Sequence, residues 1–151
     1  MKTVLFVCSG NYYRSRFAEE WFNHLAASQG LPWRAASRGL LDLEGMRGNP
    51  GPMSVHAIAY LRELGVEPAG LERMPEPIAD DAPGRFERIV CVNGPEHRPM
   101  VEARSALRDA EIEYWDIRDL DKEPTLSALV RCKERVEALL NELQPQDDHT
   151  P

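Results

Sequence analysis

The chain has 151 residues, 42% of them hydrophobic and 28% charged, with a formal net charge of −7; this suits one domain with a buried core and disfavours nucleic acid as the main partner, since a phosphate backbone needs a basic face. It leaves room for a phosphorylated ligand, because the field in a pocket is set locally. No apolar run approaches the roughly 18 residues that a bilayer span needs, a secretory layout is missing, and three cysteines at spacings unlike a metal site argue against disulfides and zinc and for the reducing cytoplasm.

The run Val4-Leu5-Phe6-Val7 predicts a buried strand over residues 2–7. It leads into Cys8-Ser9-Gly10-Asn11-Tyr12-Tyr13-Arg14-Ser15 and then a helix over 15–28, whose apolar positions Phe17, Ala18, Trp21, Phe22 and Leu25 keep helical spacing and which Gly30 ends. A second strand is expected over 33–37, with Arg38-Gly39 leaving it. The turn-rich stretch Gly48-Asn49-Pro50-Gly51-Pro52 allows neither helix nor strand. A helix follows from Ser54, with Val55, Ile58, Ala59 and Leu61 inward and Gly65 as its C-cap.

Residues 66–85, interrupted by Pro68, Pro75, Pro77 and Pro83, read as a long surface loop with room for one short helical turn. A third strand over 88–92 turns through Asn93-Gly94-Pro95 into a helix reaching Leu107. A fourth strand over 112–115 and an acidic loop over 116–121 precede a final helix over 125–143, with Leu126, Leu129, Val130, Val136, Leu139, Leu140 and Leu143 as its stripe. Residues 144–151 form a polar tail. The alternation implies one α/β domain over 1–143, with three α/β/α layers and a four-stranded parallel sheet carrying helices on both faces. Ligands bind beyond the carboxyl ends of such strands, where Cys8, Ser37, Asn93 and Asp116 fall.

At the first of these ends a thiol and a guanidinium share one loop. The helix N-terminus, the charge of Arg14, convergent backbone N–H groups between Ser9 and Ser15 and the Ser15 hydroxyl would together favour the Cys8 thiolate. Gly10 permits the turn, and Asn11 can take a left-handed conformation while its side chain ties the loop. The same donors and the fork of Arg14 suit a tetrahedral oxyanion. In-line attack by Cys8 on phosphorus would give a phosphocysteine that water hydrolyses, and both steps need a group that manages the proton.

Val-Cys-Ser-Gly-Asn-Tyr-Tyr-Arg-Ser resembles the active-site loop of the low-molecular-weight protein tyrosine phosphatases, which carry Cys-x5-Arg-Ser directly after the first strand. The likeness extends through Ser37-x-Gly39, the helix ending in Gly65, the third strand and the acidic loop. It implies that Cys8 is the nucleophile, Arg14 the phosphate clamp and Ser15 the support of the thiolate. Ser9, Gly10, Asn11, Tyr12 and Tyr13 would complete the substrate-binding loop, with Asn11 and Ser37 holding its shape. It further implies a cofactor-free, metal-free hydrolase acting on a phosphorylated protein or small aryl phosphate, with inorganic phosphate as product and no nucleic acid or membrane partner.

The family's Asp-Pro general acid has no direct counterpart. Anchoring on Trp115 places the acid at Asp119, counting back from the last helix places it at Asp116, and Asp119 is preferred; an acidic residue here could instead cap the helix. Tyr13 stands where many members have a second, protective cysteine, so Cys8 would be open to over-oxidation. Tyr12 either lines the substrate slot or packs the loop. Cys91 and Cys132 read as core, and His56, Arg73, His97 and Arg98 as surface polar residues; His97-Arg98, opening a helix near the carboxyl end of the third strand, could alternatively support the pocket, with a solvated helix start preferred. Leu120-Asp121-Lys122, where the family shows aromatics, keeps phosphoarginine open beside aryl phosphates. Arsenate reduction would need two further redox cysteines near the third strand, where only Cys91 lies. A phosphate-sensing module with little turnover is a third alternative, supported by the missing Asp-Pro.

Overall fold

A computed structural model of the chain describes residues 1–118 and 125–145. The sheet has four parallel strands in the order β2-β1-β3-β4: β1 Lys2–Cys8, β2 Trp33–Gly39, β3 Arg88–Cys91 and β4 Glu113–Tyr114. Strand β1 pairs on both edges and is covered on both faces, so Val4, Leu5, Phe6 and Val7 are fully buried. This is why the strand reads as a continuous apolar run rather than an alternating one. From β1 the chain goes outward to β2 on one side, then returns to β3 and β4 on the other. The resulting switch point opens a crevice beyond the carboxyl ends of β1 and β3.

Helices α1 (Arg14–Ser28), α2 (Val55–Glu63) and α5 (Thr125–Leu143) cover one face of the sheet. There Phe6 meets the Phe22 ring edge-on at 5.8 Å and packs against Trp115 at 5.5 Å. Each such side chain contributes about 1.5–3 kcal/mol through burial. The other face packs Leu5, Val7, Ile89 and Cys91 against Ile78, Val101 and Leu107. Val101 lies on α3 (Gly94–Glu102) and Leu107 on α4 (Ser105–Arg108).

Several local expectations change in the structure. The helix expected from Asn93 to Leu107 is two helices, broken at Arg104, whose extended backbone (φ −107°, ψ 114°) interrupts the ladder. Val101 and Leu107 both face the core, so their spacing hides the break. On α2, Val55 and Ala59 face solvent, whereas Ala57 and Leu61 point inward. Ser54 caps this helix by accepting from the His56 and Ala57 N–H groups, which places Val55 on the first, outward-facing turn. On α5 Leu126 is exposed, and Ala128 and Cys132 complete the buried stripe. Strand β4 is only two residues long. The short turn within 66–85 is a 3-10 turn at Ala82–Gly84. Of the polar tail, residues 146–151 lie outside the described residues.

Candidate active site

Cys8 ends β1 and is 2% exposed. Its Sγ accepts a hydrogen bond from the Asn11 backbone N–H at 3.2 Å and lies 3.0 Å from Ser15 Oγ. A thiolate has no proton to give, so in the ionised state Ser15 is the donor. The α1 N-terminus, beginning at Arg14, faces the same loop and adds partial positive charge.

The loop's shape depends on Asn11. It is fully buried and is the only non-glycine residue with positive φ (51°) among the described residues. Gly10 has ordinary φ, and an added Cβ would meet only Asn49 Nδ2 at 3.4 Å. The left-handed turn is therefore carried by Asn11 rather than Gly10. Asn11 Nδ2 donates to Ser15 Oγ at 2.9 Å and to Ser37 Oγ at 3.0 Å. Its Oδ1 accepts from Arg73 Nη1 and from the Glu76 N–H, both at 3.1 Å. Every hydrogen-bonding position of the side chain is thus used, which offsets the cost of the left-handed backbone. Ser37 in turn donates to Glu19 Oε1 at 2.6 Å and accepts from Arg73 Nη2 at 2.9 Å. Arg73, expected on the surface, is instead a tie between the 66–85 loop and the loop around Cys8.

Arg14 is 2% exposed and held at both ends of its fork. Nη1 donates to the Ile117 carbonyl at 2.9 Å and Nη2 to Glu96 Oε2 at 3.0 Å, while the Tyr13 ring lies 5.4 Å from the guanidinium. Burial opposes the charge, but Cys8, Tyr13 and Glu96 outweigh it and hold the guanidinium pKa above its ordinary value. Tyr13 is buried against the core and its hydroxyl donates to the Arg118 carbonyl at 3.2 Å.

At the start of α3, Glu96 is a site residue that the sequence reading misses, and His97 takes the supporting place that was the second of its two readings. His97 is completely buried, not a solvated helix start. Its Nδ1 accepts from the Asn93 N–H at 3.2 Å, so Nε2 carries the proton of the neutral ring. That Nε2 lies 2.7 Å from Glu96 Oε2 and 3.1 Å from Ser9 Oγ. Ser9 Oγ also donates to Glu96 Oε2. Burial pushes the Glu96 carboxyl up, but the His97 hydrogen bond, the Arg14 charge and the Ser9 bond hold it well below the usual carboxylate range. The one signal available in sequence was position: both residues follow the carboxyl end of β3, beside β1.

A cavity of about 260 Å³ opens over Cys8. Cys8, Ser9, Gly10, Tyr12, Tyr13 and Arg14 line it from the loop, and Leu41, Gly45 and Asn49 face them. Asn11 and Ser15 lie beneath. The Tyr12 hydroxyl donates to the Pro50 carbonyl at 2.6 Å, and the Tyr12 carbonyl accepts from the Ser54 N–H at 3.0 Å. These bonds fix the aromatic ring as one side of the opening. Buried Arg16 anchors both flanking loops, donating to the Pro52 and Gly70 carbonyls at 2.8 Å each. Gly39 lets β2 approach this closely, since an added Cβ would come within 2.7 Å of the Ser9 carbonyl oxygen.

Of the two acid candidates, Asp119 lies outside the described residues. Asp116 has its side chain 62% exposed, paired with Arg131 at 2.7 Å and Arg135 at 3.2 Å. Slight burial raises its pKa, but the hydrogen bond from Arg135 and the charges of both arginines win, holding the carboxyl below its ordinary value. In this arrangement the Asp116 carboxylate is turned to the two arginines of α5. Cys8, Cys91 and Cys132 are all free thiols. Cys91 packs on the sheet face opposite Cys8, and burial, with the charge of Cys8, pushes its thiol up to about 12. Cys132 donates weakly to the Arg14 carbonyl from α5. Among the described residues no cluster of His, Cys, Asp and Glu could hold a metal ion, and no helix is long and apolar enough to cross a membrane.

Comparison with solved structures gives the same fold at low identity. YfkJ from Bacillus subtilis matches with a TM-score of 0.79 at 23% identity, covering 95% of each chain. A low molecular weight protein tyrosine phosphatase from T. tengcongensis matches at 0.75 and 20%, covering 94% of this chain and 99% of its own. The Drosophila arginine phosphatase DARP matches at 0.70 and 21%, over 97% of this chain and 100% of its own. A search of curated proteins gave no match. The profile of the low molecular weight phosphotyrosine protein phosphatases, by contrast, matches residues 3–146, and with the thiol, arginine and loop geometry just described the chain belongs to that family of phosphatases.

Proposed function

We propose that the protein hydrolyses aryl phosphomonoesters, with phosphotyrosine on proteins as the substrate class, through a phosphocysteine at Cys8. The observation that carries this reading is the placement of Cys8 Sγ at the base of the cavity, with donors from Asn11 and Ser15 on it and Arg14 locked alongside. Substrate phosphate would sit in the loop, its oxygens on backbone N–H groups and the Arg14 fork. Attack by Cys8 displaces the aryl oxygen, which takes a proton as it leaves. The phosphocysteine then loses its phosphoryl group to water, giving inorganic phosphate and the free thiolate.

Asp119 is the proposed proton donor and later the base that activates water. The two arginine partners of Asp116 support this choice by fixing that alternative as an ion-paired carboxylate. The aryl preference is supported by the fixed ring of Tyr12 at the opening. Three free thiols support a reducing, cytoplasmic setting.

Hydrolysis of p-nitrophenyl phosphate tests the reading directly. The wild type should turn it over without added metal, and Cys8→Ser should abolish turnover while leaving the fold intact by circular dichroism. Turnover that survives Cys8→Ser would refute the mechanism.

A further inference from the structure

We infer that Glu96 is a positioning residue of the phosphatase site, orienting the Arg14 clamp and the first turn of the phosphate loop together. The inference rests on the phosphatase reading above and assigns a role to a carboxylate that this reading leaves unexplained. A negative charge beside an anion site weakens anion binding by simple electrostatics, so its presence needs a compensating purpose.

The geometry supplies one. A single oxygen, Glu96 Oε2, gathers three donors: Arg14 Nη2 at 3.0 Å, the Ser9 hydroxyl, and His97 Nε2 at 2.7 Å. Each donor reaches a different part of the site. Arg14 comes from α1, Ser9 follows the nucleophile directly, and His97 lies under the loop, held by the Asn93 N–H at the end of β3. The carboxylate therefore ties the clamp and the loop to one rigid point.

The guanidinium is gripped from two sides, with Nη1 on the Ile117 carbonyl beyond β4 and Nη2 on Glu96 of α3. Two contacts at separate nitrogens fix the plane of a rigid fork, which one contact cannot do. His97 cannot activate Ser9 as a base, because Nδ1 is occupied as an acceptor and Nε2 is a donor. Its proton instead serves Glu96 and the Ser9 oxygen. The three residues form a scaffold, half-buried at Ser9 and Glu96 and fully buried at His97, in which Glu96 is the common acceptor.

An oriented fork matters most when the phosphoryl group flattens in the transition state, where misplacement is costly. Orthovanadate, which adopts that trigonal geometry, reports it separately from tetrahedral phosphate. The experiment measures kcat and KM for p-nitrophenyl phosphate, inhibition by orthovanadate and by inorganic phosphate, and thermal unfolding, for wild type, Cys8→Ser, Glu96→Ala and Glu96→Gln.

Glu96→Ala should lower kcat/KM about tenfold or more, mainly through kcat, and weaken vanadate inhibition more than phosphate inhibition. Glu96→Gln, which keeps an acceptor oxygen, should stay within about threefold of wild type. A folded Glu96→Ala enzyme with wild-type vanadate inhibition overturns the inference, as does a Glu96→Gln loss equal to that of Glu96→Ala. If Glu96→Ala does not fold, Ser9→Ala replaces it: a loss of vanadate affinity of about threefold supports the scaffold, and no loss overturns it. Turnover by Cys8→Ser would instead undo the phosphatase reading itself, so the two failures are distinguishable.

Discussion

At the scale of single residues, the site separates groups that face the cavity from groups that hold them. Cys8 and Arg14 face it, whereas buried Asn11, Ser15 and Ser37, joined by half-buried Arg73, form a polar net beneath. Such a net is stabilising only when fully satisfied, and Asn11 meets that condition. The acid assignment yields a sharp residue-scale contrast. Asp119→Ala should cut kcat by about 10²- to 10⁴-fold, the usual worth of a general acid, with a larger loss for aryl phosphates whose leaving groups are poor. Asp116→Ala should leave kcat nearly unchanged, because its carboxylate is occupied by Arg131 and Arg135 on the surface of α5. Steady-state kinetics on phenyl and p-nitrophenyl phosphate decide the point; a large loss in Asp116→Ala alone would reverse the assignment.

At the scale of elements, what could be read from sequence was what lies close together along the chain. The strand Lys2–Cys8, the loop to Ser15 and the helix that follows form one contiguous unit, so nucleophile, clamp and thiolate support were legible at once. Glu96 and Arg73 were not, and His97 only as a lesser reading from its position after β3, because they reach the loop from distant segments. A histidine and a glutamate opening a helix, or an arginine in a proline-interrupted loop, carry no periodic signal of burial; their role appears only when β3 lies beside β1. The break between α3 and α4 escaped for the opposite reason, since the core positions on either side keep a plausible helical spacing. The close approach of β2 to the loop is likewise an element-scale feature with a testable cost. Gly39→Ala would place a Cβ 2.5 Å from Met46 Cε and 2.7 Å from the Ser9 carbonyl oxygen. Met46 can swing aside, but the backbone cannot, so the change should destabilise by about 1–3 kcal/mol and lower activity by shifting the loop. Denaturant unfolding alongside kinetics checks this; unchanged stability would show that β2 gives way freely.

At the scale of the whole molecule, an acidic chain with net charge −7 builds one positive pocket by bringing the α1 N-terminus and Arg14 to the switch point of the sheet. The rest of the fold serves that placement. Both faces of β1 are buried, which fixes Cys8, while α3 and the stretch after β4 grip Arg14 from either side. The central claim is that the reaction passes through a phosphoryl group on Cys8. It is tested most directly by rapid acid quench of the enzyme during turnover of p-nitrophenyl phosphate, followed by peptide mass spectrometry. The expected result is a phosphoryl adduct confined to the peptide containing Cys8 and absent from Cys8→Ser. Turnover with no adduct at Cys8, or with an adduct on another residue, would contradict it.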